Sequence, residues 1–138
     1  RVSELARIET VVFLQSVDIF SYCKAEEVLR IAAIAQERTV AAGERIYSAN
    51  EPAEGLFCVV RGSVKIEGSN GEAKMVGPLA TFGGIDILRS RLRTATATAE
   101  TDSLLLAIES DDLFDLLSNN IEIVKALFRH LIERFQLE

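Results

Sequence analysis

The feature that most restricts this chain is a change of hydrophobic period. From Arg38 to Ile108 the helical spacing of apolar residues gives way to short apolar runs between glycines, and one run, Thr94-Ala95-Thr96-Ala97-Thr98-Ala99, alternates with strict period two. Period two places successive side chains on opposite faces of a strand, which no helix can do. Thr39-Val40-Ala41 and Arg45-Ile46-Tyr47 flank Gly43. The runs Leu56–Val60 and Ser63–Glu67 flank Arg61-Gly62, and Ala73–Val76 follows the hairpin signal Gly68-Ser69-Asn70-Gly71. Gly77-Pro78 marks another turn, and Leu104-Leu105-Leu106-Ala107-Ile108 is apolar enough to be buried on both faces. Short strands at this regular spacing predict a sandwich or jelly-roll barrel.

Both ends read as helix. Leu5, Ile8, Val11 and Val12 form an apolar stripe over residues 4–15. Val28, Leu29, Ala32 and Ala35 form another over roughly residues 24–36, with Ser21 as a candidate cap. After the strands, Ser110-Asp111-Asp112 caps a helix carrying Leu113, Phe114, Leu116 and Leu117. Asn119-Asn120 interrupts it. The last helix carries Val124, Leu127, Phe128, Leu131, Ile132 and Phe135, a wide stripe that suits core packing, a dimer or an interdomain contact. The fold class expected is α+β, an antiparallel β jelly-roll barrel flanked by N-terminal and C-terminal helices. One domain is expected over 1–138, divided into helical 1–37, β-roll 38–109 and C-terminal helices 110–137.

Composition narrows the function. At 138 residues and 49% hydrophobic content the chain can bury one core. A net charge of −6 argues against a nucleic-acid-binding face. No apolar run is long enough to cross a membrane. The start, Arg1-Val2-Ser3-Glu4-Leu5, has neither Met nor the apolar core of a signal peptide, so a fragment of a longer chain is expected, cytoplasmic or on the cytoplasmic face of a larger membrane protein. Cys23 and Cys58 lie far apart in apolar surroundings and read as two buried thiols. A single histidine, His130, and no Cys/His cluster argue against a metal site. No nucleophile–base pair and no motif-placed carboxylate pair point to an enzyme.

The segment 81–96 carries the chemistry. Gly83-Gly84 allows a ligand close to the backbone, the short run Ile85-Asp86-Ile87-Leu88 is too short for a full helix, and Arg93 stands at the head of the alternating strand. N–H groups opening a helical turn, with a forked guanidinium opposite, can hold an anion. A plain turn followed by a solvated arginine would have the same sequence.

The order of motifs resembles the cyclic nucleotide-binding domain family, which includes the catabolite activator protein, kinase regulatory subunits and nucleotide-gated channels. The resemblance rests on Phe13–Phe20, the Glu26-Glu27-Val28-Leu29 helix, Gly43-Glu44-Arg45-Ile46-Tyr47, Leu56–Ile66 around Gly62, Met75-Val76-Gly77-Pro78, Phe82-Gly83, and Arg93-Thr94-Ala95-Thr96-Ala97. It implies that residues 82–96 are the family's phosphate-binding cassette. Phe82, Gly83 and Gly84 would open it. Arg93 would take the cyclic phosphate of cAMP or cGMP, helped by N–H groups of Ile85 and Asp86 and by Thr94, with Ala95 following. Val64 and Val76 would line the sugar and base pocket. No other cofactor is implied. The last helix would relay binding to an attached effector or to a second copy of the chain.

Two departures matter. Gly84 stands where the family has a glutamate that accepts the ribose 2′-hydroxyl, and its loss costs about 1.5–3 kcal/mol. Asp86 stands where the family has a small residue. Its carboxylate either pairs with Arg93, giving a ligand-free structural or interaction module, or caps the short turn and faces solvent. Leu92 replaces the proline usual before the arginine, and Leu79-Ala80 replaces a Gly-acid pair. Arg89 and Arg91 add charge nearby and either assist phosphate binding or, as exposed loop arginines usually do, have no specific role.

Overall fold

A computed structural model describes residues 4–137. The elements run α1 (Arg7–Gln15), a 3₁₀ turn (Asp18–Phe20), α2 (Ala25–Ile34), β1 (Ala35–Val40), β2 (Arg45–Tyr47), β3 (Gly55–Arg61), β4 (Val64–Gly68), β5 (Ala73–Val76), β6 (Thr81–Phe82), α3 (Gly84–Leu88), β7 (Ala95–Ala99), β8 (Ser103–Glu109), α4 (Ser110–Ser118) and α5 (Ile121–Phe135). They form two compact units, one helical, up to residue 35 and from 111 onward, and one of strands, from Gln36 to Ser110.

The strand unit is two four-stranded antiparallel sheets, ordered β1-β8-β3-β6 and β2-β7-β4-β5. Their inner faces close on Val40, Ile46, Phe57, Val59, Val64, Phe82, Ala97, Ala99 and Leu105. The alternation of residues 94–99 is realised in β7, where Ala97 and Ala99 are buried and the intervening Thr98 is half-buried. β4 and β5 join through the Gly68–Gly71 turn, with Val64 opposite Val76. Gly62 is obligatory. Its φ is +97°, and an added Cβ would sit 2.7 Å from the Asp102 carbonyl oxygen and collide with the Ser103 hydroxyl. The strand period begins at Ala35, three residues before the expected Arg38, because β1 is an edge strand whose neighbour is β8.

In the helical unit α1 packs on α2, and α5 packs on the 3₁₀ turn. The sequence stripes are rotated relative to the buried faces. α1 buries Val11 and Leu14 and leaves Ile8 and Val12 exposed, and α2 buries Val28 and Ile31 and leaves Leu29 exposed. Ser21 does not cap α2. Lys24 is the cap residue, and its N–H donates to the Glu27 carboxylate (2.7 Å). α5 buries Ile123 and Ala126, whereas Phe128, Leu131, Ile132 and Phe135 are exposed. Cys58 is buried but Cys23 is only half-buried. Among the described residues no helix is long and apolar enough to cross a membrane.

Candidate anion site in the 82–93 loop

The loop is anchored at its start by aromatic packing. β6 is two residues long and pairs Phe82 with Phe57 of β3, their rings stacked at 5.1 Å. Gly83 then turns the chain at φ +89°, where a side chain would be strained and a Cβ would lie 3.0 Å from Arg93 Nη1. α3 is a single turn. Behind it Ser90 adopts a left-handed conformation (φ +50°), and the Arg91 N–H donates to the Asp86 carbonyl (3.1 Å). That closure folds residue 91 back over residue 86. Arg93 is fixed through its backbone, donating to the Glu51 carbonyl (2.8 Å) and accepting from the Asn50 N–H (2.8 Å).

The side chains converge inside this frame. Asp86 is 7% exposed. Its Oδ1 accepts from Arg91 Nε at 2.8 Å, and its Oδ2 lies 3.4 Å from Arg93 Nη1. Arg93 is 3% exposed. Its Nη1 donates to the Gly83 carbonyl (2.6 Å), its Nη2 to the Gly55 carbonyl (2.6 Å), and its guanidinium lies 3.9 Å from the centre of the Tyr47 ring. Its Nε is buried with no acceptor. Charge-assisted bonds and a desolvated cation–π contact thus hold Arg93 from three directions. The Tyr47 phenol is shifted up, chiefly by burial; Asp86 adds to the shift and Arg93 opposes it.

Of the residues expected to form the site, Gly83, Asp86 and Arg93 come into direct contact. Phe82 supports them from the core, and Gly84 opens α3. Ile85 and Thr94 lie at the surface, and Ala95 is half-buried at the start of β7. Val64 is fully buried in the core and Val76 half-buried opposite it, and neither touches Arg93 by hydrogen bond or ring contact. Arg91, read either as an aid to phosphate binding or as an exposed loop residue, makes the shortest bond to Asp86. Tyr47 and Gly55 were missed because they reach Arg93 across strands, a relation invisible in local sequence. A cavity of about 460 Å³ adjoins Arg93, with Arg38, Tyr47, Phe57, Glu54 and Glu109 also in its lining. None of the other expected site residues lines it. Among the described residues no group of His, Cys, Asp or Glu is placed to hold a metal.

Comparison with known proteins agrees with this fold. The family model described as "Cyclic nucleotide-binding domain" matches residues 37–120. The chain is 32% identical over 119 residues to a cyclic nucleotide-gated potassium channel of Mesorhizobium japonicum, covering 86% of this chain and 33% of the channel. It is 27% identical over 99 residues to a CRP-like cAMP-activated global transcriptional regulator of Mycobacterium tuberculosis, covering 68% of this chain and 44% of the regulator. The N-terminal domain of a Streptomyces coelicolor transcriptional regulator superposes with a TM-score of 0.77 at 29% identity, covering 90% of this chain and 92% of that one. The chain belongs to the cyclic nucleotide-binding domain family, a regulatory family, and it spans less than half the length of these curated relatives.

Proposed function

We propose that this chain is the regulatory domain of a larger protein, and that its own Asp86 occupies the place at Arg93 where other family members receive a cyclic phosphate. The observation that carries the reading is the buried Asp86 carboxylate, shared between Arg91 (2.8 Å) and Arg93 (3.4 Å). A phosphate brought to Arg93 would stand against that carboxylate. Two like charges about 4 Å apart repel by about 4 kcal/mol at an effective dielectric constant of about 20, on the order of a thousandfold in affinity. Arg91 offsets part of this, and Gly84 adds the loss of the 2′-hydroxyl acceptor. The loop is therefore held in shape by its own side chains, and the domain acts without a cyclic nucleotide. Its output surface is the exposed face of α5, Phe128, Leu131, Ile132 and Phe135, which meets an attached effector or a second copy of the chain.

A second reading, cAMP or cGMP held by Arg93, is favoured by one observation: the buried Nε with no acceptor, which a phosphate oxygen would satisfy. Isothermal titration with cAMP and with cGMP separates the two. The first reading expects no heat up to about 1 mM ligand in the unaltered chain, which corresponds to binding weaker than about −4 kcal/mol, and measurable binding in Asp86→Asn. Micromolar binding by the unaltered chain, lost in Arg93→Ala, would establish the second and overturn the first.

A further inference from the structure

We propose that Arg91 is the second arm of a two-arginine oxyanion site, so that a phosphoryl group replacing the Asp86 carboxylate would be held by Arg91 and Arg93 together. The inference rests on the reading that Asp86 fills the site, and it adds a ligand-holding residue to it. The two carboxylate oxygens are divided between two guanidiniums, Oδ1 to Arg91 Nε and Oδ2 to Arg93 Nη1. Two oxygens of a phosphoryl group can be divided in the same way. The bond to Arg91 is the shorter by 0.6 Å, the difference between 3.4 and 2.8 Å, so Arg91 is the stronger holder of the anion now present.

The loop positions Arg91 for this. The left-handed Ser90 and the bond from the Arg91 N–H to the Asp86 carbonyl bring residue 91 back beside residue 86. The side chain of Arg91 is 35% exposed and that of Arg93 2%. Arg91 is thus the arm an incoming anion meets first. Its Nη1 and Nη2 have no described partner and remain as donors, and Arg93 keeps its buried Nε. Asp86, Arg91 and Arg93 together carry a net charge of +1, which becomes +2 in Asp86→Asn. The site keeps a net positive charge that an oxyanion would meet once the carboxylate is removed.

The phosphoryl group has two sources, a cyclic nucleotide or inorganic phosphate, and both are titrated. The test compares Asp86→Asn with Asp86→Asn/Arg91→Gln by calorimetry, using cAMP in one arm and inorganic phosphate in the other. Asp86→Asn is expected to bind, and adding Arg91→Gln is expected to weaken that binding about 10- to 100-fold, the usual effect of losing one charge-assisted bond. Heat with cAMP alone assigns the nucleotide, and equal heat with phosphate assigns the free anion. Equal affinities in the two variants overturn the role of Arg91 and leave the reading of Asp86 standing. No binding by Asp86→Asn overturns both. Should the double variant fail to fold by circular dichroism, Asp86→Asn/Arg91→Met takes its place, since methionine keeps a long flexible side chain without the charge or the donors. An unchanged affinity there overturns the inference equally.

Discussion

If Asp86 and the backbone occupy Arg93 permanently, Arg93 holds the fold together, and Arg93→Ala must cost stability. An arginine kept for a ligand would be cheap to remove. Here the change deletes two 2.6 Å bonds to the Gly83 and Gly55 carbonyls and the contact with Tyr47. Each charge-assisted bond is worth about 1.5–3 kcal/mol, and the desolvated cation–π contact about 1–2. Against this stands relief of the orphaned Nε, worth about 1–3 kcal/mol. Removing one partner of a buried ion pair costs about 3–5 kcal/mol, but Asp86 keeps Arg91, which places this case at the low end. The net expectation is a loss of about 3 kcal/mol. For a chain of this size that lowers Tm by about 10 °C. Urea and thermal unfolding followed by circular dichroism, without ligand, measure it. A loss under about 1 kcal/mol would refute the reasoning and return Arg93 to the role of a reserved ligand donor.

Other consequences follow from single contacts. Arg93→Lys should lose most of the same stability, because one ammonium cannot span two carbonyls and a ring; unfolding within about 0.5 kcal/mol of the unaltered chain would count against the bridging role. Gly62→Ala should cost several kcal/mol or prevent folding, through its positive φ and the clash at Asp102 and Ser103, and soluble yield and urea midpoint report it. Burial pushes the Cys58 thiol up to about 12 and, with help from Glu27, the half-buried Cys23 thiol up to about 11, so native labelling by a thiol reagent at pH 8 should spare Cys58 and reach Cys23 slowly. Both thiols hold their protons more tightly folded than unfolded. Their contribution is therefore intact below pH 9, where the unfolded thiols ionise, and is lost as pH rises to the folded values, so stability should fall between pH 9 and 12 and fall less steeply in Cys58→Ala.

The sequence was most legible where a period was local. Alternation at residues 94–99 fixed which alanines enter the roll, and the Gly68–Gly71 turn fixed the β4–β5 register. Helix faces were read less well. A stripe such as Ile8, Val12 or Phe128, Leu131, Ile132 and Phe135 states that a face is apolar and not that this chain covers it, and the described structure leaves those side chains exposed. In the loop, the pairing of Asp86 with Arg93 followed from placing a carboxylate in an anion site. The stronger partner, Arg91, did not, because the bond depends on the left-handed Ser90 that folds residue 91 back. The contacts from Gly55 and Tyr47 depend on sheet register, set by residues far from both.

The distances at Arg93 also bear on what holds the arginine in place. A guanidinium has five N–H donors. At Arg93, Nη1 serves Gly83 and Asp86, Nη2 serves Gly55, and Nε serves nothing. Protein acceptors fill one side of the guanidinium and not the other. If the loop's order came from Asp86 alone, a neutral residue there would free the loop. Because the two carbonyl bonds are shorter than the contact with Asp86, Arg93 should stay in place in Asp86→Asn, with Arg91 the residue released. Hydrogen exchange of the backbone amides then gives a directional test. In Asp86→Asn, protection should fall at residues 86–91 and persist at Arg93, whose N–H is bonded to Glu51. Loss of protection at Arg93 as well would mean that the carboxylate, not the carbonyls, holds the arginine.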